Sequence, residues 1–261
     1  MGQWLFAIRM PRSTLFFGVL GCSALPIGLG VSYLLFALPP PGFRYASYNV
    51  PLGSALLLAG IGVAIVFFRI AGDKDDVFER GIVEKRLGKT TAIHFAELNR
   101  VTRAVMDIGD PRAMTRQTRV SLNTPDGRVI VLFHNSSLGT WNENLDLAFQ
   151  MGVNAVTDRM QRTLGSSGSV AWVKIGNVSA TIRPEGLVIG GKFYEFARLD
   201  MEAHEGTCYM KASGSVIFEV NAGAVNFYPG VQLIQRLRGE PAASRLDSMV
   251  GQLWHMRTAV A

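Results

Sequence analysis

The hydropathy pattern of the chain begins with two long apolar runs, at residues 15–38 and 51–70, and no acidic residue precedes Asp73. A helix of about 20 apolar residues, rising about 1.5 Å per residue, spans the ~30 Å hydrocarbon core of a bilayer. The link between the runs, residues 39–50, is short, so the two helices are expected to pack antiparallel. We therefore predict a two-helix transmembrane hairpin over residues 13–70.

The basic residues around the two runs predict how this hairpin is oriented. Arg9 and Arg12 precede the first run, Arg69 and Lys74 lie at the end of the second, and the link holds a single cation, Arg44. Because basic residues favour the cytoplasmic side of a membrane, both termini are expected in the cytoplasm. The sequence thus predicts a multi-pass protein of the cell inner membrane, with residues 1–12 as a cytoplasmic tail.

From residue 77 onward the pattern changes to short alternating segments that indicate β-strands, followed by one amphipathic helix. Asp126 and Gly127 form a strong hairpin signal between two such segments. The helix is predicted to begin at a capping pair, Thr140 and Glu143, and to end at Gly165. Its apolar stripe, spaced as a helix requires, consists of Leu145, Phe149, Gly152, Val156, Met160 and Leu164.

The same order of elements returns after a glycine- and serine-rich linker at residues 165–169. Strand-like segments cover much of residues 170–220, a helical run follows at 231–237, and a short helix is one interpretation of the tail at 240–261. Two echoes support a duplication: ERGIV at residues 79–83 parallels PEGLV at 184–188, and FAEL at 95–98 parallels FARL at 196–199. We predict two units, at residues 77–164 and 170–239.

These features resemble the pleckstrin-homology-like (PH-like, or GRAM-like) units of bacteria, in membrane proteins that pair such units with a double membrane span. The features are a Glu-x-Gly-apolar-apolar strand, a Phe-x-x-Leu segment, an Asp-Gly hairpin and a terminal helix, over about residues 77–238. The resemblance implies an antiparallel sheet or barrel capped by a C-terminal helix in each unit. The expected fold class is therefore a membrane-anchored α+β protein with tandem PH-like units.

Charge and cysteine content narrow the class of protein further. The chain has 26 basic and 20 acidic residues, and four of the basic ones lie in the acid-free first 70 positions, so the remainder carries only +2. This small excess argues against nucleic-acid binding. The two cysteines, Cys22 and Cys208, form neither a disulfide framework nor a metal pattern. Cys22 follows VLG and so also fits a bacterial lipoprotein box, which leaves its lipidation open.

No pattern in the chain predicts catalysis, a cofactor or a metal. GKT at residues 88–90 lacks the glycine at position 83 that a phosphate-binding loop requires. We therefore predict a protein that is not an enzyme. The side chains that could serve as ligands or nucleophiles lack the spacing of a metal site or a paired base; they are His94, His134, His204, His255, Asp73, Asp75, Asp76 and Cys208.

One local cluster indicates binding instead. Five arginines lie within 20 positions and are opposed there by two acids, Asp107 and Asp110. Arginines on neighbouring strands bind phosphate groups through paired N–H donors, and each cation near an anionic leaflet contributes about 1 kcal/mol. The alternative is a solvated face with local ion pairs. The predicted anion-binding or lipid head-group residues are Arg100, Arg103, Arg112, Arg116 and Arg119.

The function that these predictions favour is a non-enzymatic, membrane-anchored adaptor. Its units would lie at the cytoplasmic face of the lipid bilayer, where they bind a protein partner or anionic lipid head groups. Sheet edges and the helix of the second unit are the expected docking surfaces, since such folds bind peptides at an edge strand. The alternative is an accessory subunit of a membrane enzyme or transporter that contacts it through the hairpin.

Overall fold

The computed structural model describes residues 1–9, 20–36, 49–71, 73–86, 88–108, 115–137, 143–204 and 206–239. These residues form four α-helices and fourteen β-strands, and the strands are arranged in four sheets. The protein is therefore mostly β, and the expected membrane-anchored α+β class is wrong. The tail helix considered at residues 240–261 lies outside the described residues, as does Thr140 of the predicted capping pair.

The described elements follow one another in a repeating order. The helices are α1 (Leu25–Phe36, after a π-helical turn at Leu20–Ala24), α2 (Asn49–Ala71), α3 (Glu143–Ser167) and α4 (Phe227–Leu237). The strands before α3 are β1 (Trp4–Arg9), β2 (Lys74–Phe78), β3 (Gly81–Arg86), β4 (Lys89–His94), β5 (Arg100–Ile108), β6 (Thr115–Asn123) and β7 (Val129–Ser137). Those after it are β8 (Val170–Ile175), β9 (Val178–Arg183), β10 (Gly186–Ile189), β11 (Lys192–Glu195), β12 (Leu199–His204), β13 (Thr207–Ala212) and β14 (Ser215–Asn221).

The chain divides into two compact units. The larger consists of Met1–Phe6, Val77–Ile82 and Ala92–Ala261, and the smaller of Ala7–Asp76 and Val83–Thr91. Both predicted PH-like units thus fall mainly in the larger unit.

Helices α1 and α2 form the core of the smaller unit as a closely packed pair. A Cβ atom at Gly30 of α1 would lie 2.7 Å from the backbone nitrogen of Leu57, and one at Gly60 of α2 would lie 2.5 Å from Cγ1 of Ile27. Glycine is required at both positions because the backbones approach too closely for a side chain. The packed helix pair agrees with the short link between the two apolar runs.

No helix in the described part of the chain is long and apolar enough to cross a membrane. The predicted transmembrane hairpin and the multi-pass inner-membrane localisation are therefore wrong.

The strands and the helices that follow them repeat one order of elements. Strands β1–β4 form a four-stranded sheet in sequential order, a 3₁₀ turn follows at Phe95–Glu97, and β5–β7 form a three-stranded sheet before α3. In the second half, β8–β11 and β12–β14 form corresponding sheets around a 3₁₀ turn at Phe196–Arg198, before α4. The second half has seven strands and one helix. The first half has the same number once β1 is counted with β2–β7. The helical hairpin is thus inserted between the first two strands of the first half.

Equivalent backbone contacts occur in the two halves. The backbone N–H of Phe95 donates to the carbonyl of Arg80 over 2.9 Å, and that of Phe196 donates to the carbonyl of Glu185 over 3.0 Å. The next residues, Gly81 and Gly186, each lie so close to the facing strand that a Cβ atom would clash with a carbonyl oxygen, of Ile93 and Tyr194 respectively. The echoes found in the sequence therefore mark the same tight crossing in both halves.

Helix α3 shows the predicted apolar stripe. All six stripe residues, from Leu145 to Leu164, are buried, and the Asp-Gly hairpin joins β6 to β7 with Gly127 at φ 87°. Both predictions are confirmed. The helix does not end at Gly165, because it continues to Ser167 and is followed by Gly168 at φ 70°, a conformation that favours glycine.

Aromatic side chains join α3, α4 and β8 in the core of the larger unit. The ring of Tyr228 packs edge-on against Phe149 and Phe227, at 5.0 Å in both cases, and Phe227 stacks on Trp172 at 6.5 Å. The indole N–H of Trp172 donates to the carbonyl of Asn226 over 3.0 Å. The two halves therefore contribute side chains to one shared core.

Candidate functional site

The structure places the predicted arginines on two different faces of one sheet. Arg100 and Arg103 lie on β5, Arg119 lies on β6 opposite Ala104, and Arg116 lies on β6 opposite Asp107. Because side chains alternate along a strand, Arg100 and Arg119 share the outer face, and Arg103 lies on the inner one. Arg112 lies outside the described residues, and for Arg116 only the backbone is described.

Arg103 is an internal residue. Its guanidinium is 4% exposed, lies 3.1 Å from the carboxylate of Asp146 on α3, and sits 5.2 Å above the ring of Phe149. A buried charge of this kind is stable only with a partner and packed neighbours. Burial raises the pKa of the Tyr228 hydroxyl, and the positive charge of Arg103 reduces this rise. Arg103 therefore connects β5 to α3 and does not face solvent.

The outer face of β5–β7 is exposed and basic. Arg100 and Arg119 are exposed there, and the pairing places Phe133 of β7 beside Arg119. Arg100 lies four residues along β5 from Ala104, and Arg119 lies opposite Ala104 on the next strand. The two arginines are therefore about 14 Å apart. This spacing suits two separate anionic groups better than one phosphate. Binding of lipid head groups at this face stays a prediction.

The edge of β5 is covered by a residue from the other half of the duplication. The side-chain Oδ1 of Asn226 accepts from the backbone N–H of Val101 at 2.9 Å, and its Nδ2 donates to the carbonyl of Asn99 at 3.0 Å. The backbone N–H of Asn226 also donates to the carbonyl of Val101 at 3.0 Å. Asn226 thus pairs with β5 as a neighbouring strand would. Its φ of 59° is tolerated by asparagine better than by most residues.

Strand β12 occupies in the second half the position of β5 in the first. In each half an arginine binds the carbonyl at the start of this strand: Arg159 donates to Leu98 at 3.4 Å, and Arg238 donates to Leu199 at 3.3 Å. β12 pairs with β13 on one side, and no described strand pairs with its other side. The edge of β5 is therefore bound at residues 99–101 by Asn226, and the outer edge of β12 has no described strand partner.

The outer face of β12–β14 carries the opposite charge. Asp200 and Glu202 of β12 and Glu219 of β14 are exposed on it, beside Tyr209 and one cation, Lys211, which lies 2.5 Å from Glu202. The two corresponding sheets of one molecule are thus basic and acidic. Sequence reasoning missed this contrast because it grouped the arginines by position and not by face.

The other candidate ligands do not come together. No group of three or more His, Cys, Asp or Glu side chains that could hold a metal ion is found in the described part of the chain. Cys208 is buried in β13, and burial raises the pKa of its thiol to about 12, so it is a poor nucleophile. His94 is exposed on β4, and His134 is half-buried on β7, where burial lowers its pKa.

No family model, curated protein or solved structure matches this chain. Any function assigned to the protein therefore rests on the geometry of its own described residues.

Proposed function

We propose that the larger unit is a non-enzymatic protein-binding module of two PH-like halves, which takes up an extended segment of a partner protein along the outer edge of β12. The observation that carries this proposal is the difference between two corresponding edges. Asn226 covers β5 with three hydrogen bonds, whereas no described strand pairs with the outer edge of β12.

The charges along β12 define the kind of segment that would fit. An added strand gains affinity from main-chain hydrogen bonds and specificity from alternate side chains. Asp200 and Glu202 both point to the outer face. Alternate residues of an added strand would therefore lie beside these two carboxylates. Opposite charges favour such pairs. The preferred segment therefore has Lys or Arg at every second position.

A random 12-residue peptide library displayed on phage and selected on the full-length protein tests this proposal. We expect enriched peptides with alternating Lys or Arg, and hydrogen exchange should show that a bound peptide protects the amides of Leu199–His204. The amides of Val101 and its neighbours in β5 serve as the internal control and should not change. Enrichment without the alternating pattern, or protection that excludes β12, would contradict the proposal.

The hairpin supports a second candidate function, an accessory subunit that docks through α1 and α2. Leu25 and Leu58 are 66% and 68% exposed, and several other apolar side chains of the two helices are exposed as well. Apolar surface of this extent marks an interaction site in most proteins. A photo-crosslinking residue placed at Leu58 or at Glu202 in living cells separates the two functions. Adducts from position 58 alone support the subunit, and adducts from position 202 alone support the peptide-binding module.

A further inference from the structure

The outer faces of β5–β7 and β12–β14 are complementary in charge. The basic face consists of Arg100 and Arg119 with Ala104, Met106 and Phe133, and its alternating strand positions hold no acidic residue. The acidic face consists of Asp200, Glu202 and Glu219 with Tyr209 and Lys211. Both faces are exposed within the same molecule.

The spacing of the charges is also similar on the two faces. Arg100 and Arg119 lie about 14 Å apart, and Asp200 and Glu219, separated by two residues and two strands, lie about 12 Å apart. The long arginine side chains are flexible enough to accommodate the difference of about 2 Å between the two spacings. Each face also exposes apolar surface that a contact could bury, with Met106 and Phe133 on the basic face and Val216 beside Lys211 on the acidic one.

We infer that this protein binds a second copy of itself, with the basic face of β5–β7 on one molecule against the acidic face of β12–β14 on the other. The two surfaces differ, so the copies pair either reciprocally in a closed dimer or head to tail in a ring or a chain. Charge complementarity of this kind sets specificity and weakens with salt. The contact shares the Asp200 and Glu202 carboxylates with the segment proposed at the edge of β12, but it needs none of the main-chain groups of that edge.

Two charge-reversed variants of the full-length protein test the inference. R100E/R119E makes both faces acidic, and D200K/E219K makes both faces basic, so neither variant should associate with itself. A mixture of the two restores opposite charges across the contact and should associate. Sedimentation velocity in a neutral detergent, at 50 and 500 mM salt, measures this while keeping the exposed apolar side chains of α1 and α2 dispersed.

We expect wild-type association to weaken about tenfold or more in each reversed variant and at high salt, and to return in the mixture. R162E/R183E changes the net charge by as much as R100E/R119E does, at exposed positions on neither face. It is the matched control for that variant and should associate as the wild type does. If a reversed variant does not fold by circular dichroism, R100Q/R119Q and D200N/E219N replace the pair, and each should associate with itself more weakly than the wild type does. A wild-type protein that is monomeric at low salt, or variants that all associate equally, would overturn the inference.

Discussion

Asp75 shows how a single residue can make stability depend on pH. It is 6% exposed on β2, and the nearest cation, Arg86 of β3, lies 3.5 Å from one of its carboxylate oxygens. Its other oxygen has no hydrogen-bond partner among the described residues. Burial raises the pKa of Asp75 to about 7, an effect that Arg86 reduces and that Glu84 and Asp73 increase. The folded state therefore binds this proton more tightly than the unfolded chain does.

We expect the stability of the wild type to fall as the pH rises from about 4 to about 7, and to level off above that. The reason is that the buried carboxylate loses its proton in this range while the unfolded chain has already lost it. D75N removes the titration and should be more stable than the wild type at pH 8, by at most about 4 kcal/mol. Urea unfolding at pH 5 and pH 8 measures the difference.

D200N, at an exposed position of β12, is the control for this experiment. It should leave the difference between pH 5 and pH 8 as it is in the wild type. If D75N has the same pH dependence as the wild type, Asp75 is not the group responsible.

At the scale of elements, the treatment of strand edges distinguishes the two halves. An edge strand presents unpaired backbone groups that invite another strand. In the first half, Asn226 satisfies these groups on β5 at Asn99 and Val101. Next to it, α4 packs on α3 through polar contacts, in which Gln232 accepts from Thr157 at 2.7 Å and Arg236 lies 2.7 Å from Asp158. The edge and the helix pair together hold the two halves in one unit.

Asn226→Ala removes both side-chain hydrogen bonds and places alanine at a positive φ, so we expect it to destabilise the larger unit by about 2–4 kcal/mol. The amide of Val101 should exchange faster with solvent, because its acceptor is lost. Urea unfolding and hydrogen exchange read the two effects separately.

Asn226→Gly separates the two causes of this loss. Glycine tolerates the positive φ but restores no hydrogen bond, so its stability should lie between those of the wild type and the alanine variant. Unchanged exchange at Val101 in both variants would show that Asn226 does not protect the edge of β5.

At the scale of the whole molecule, the helical hairpin is an insertion in a β protein. The backbone N–H of Glu79 donates to the carbonyl of Gln3, and that of Arg80 donates to the carbonyl of Met1, each at 3.0 Å. The start of β1 therefore lies beside the end of β2, and the strands run antiparallel. Continuing this register places Arg9 next to Asp73. Helices α1 and α2 lie in the chain between these two residues.

Replacement of residues 10–72 by an Asn-Gly turn should therefore leave the larger unit folded, because it joins two strands that are already neighbours. We expect a β-type circular dichroism spectrum and a single cooperative unfolding transition. A matched variant that deletes residues 1–72, and with them β1, should be markedly less stable. Equal stability of the two variants would show that β1 is not part of the fold.

Local patterns gave reliable predictions wherever a neighbouring residue decides the structure. The stripe from Leu145 to Leu164 is buried because helical spacing alone places it on one face. The Asp-Gly pair forms its hairpin because Gly127 tolerates a positive φ. Strand β1 was missed because no other strand is near it in the sequence. Its six residues pair with β2, about 70 positions later in the chain.

The sequence by itself determined the buried stripe of α3, the Asp-Gly hairpin, the repeat of strands before a helix and the packing of two apolar helices, because these depend on periodicity and turn residues. Only the tertiary structure decided that Arg103 is buried while Arg100 and Arg119 share an exposed face, and that Asn226 covers an edge 125 positions away. It also decided that no described helix reaches across a bilayer. The physical reason is that burial and partners across a sheet arise from distant contacts, which no local pattern contains.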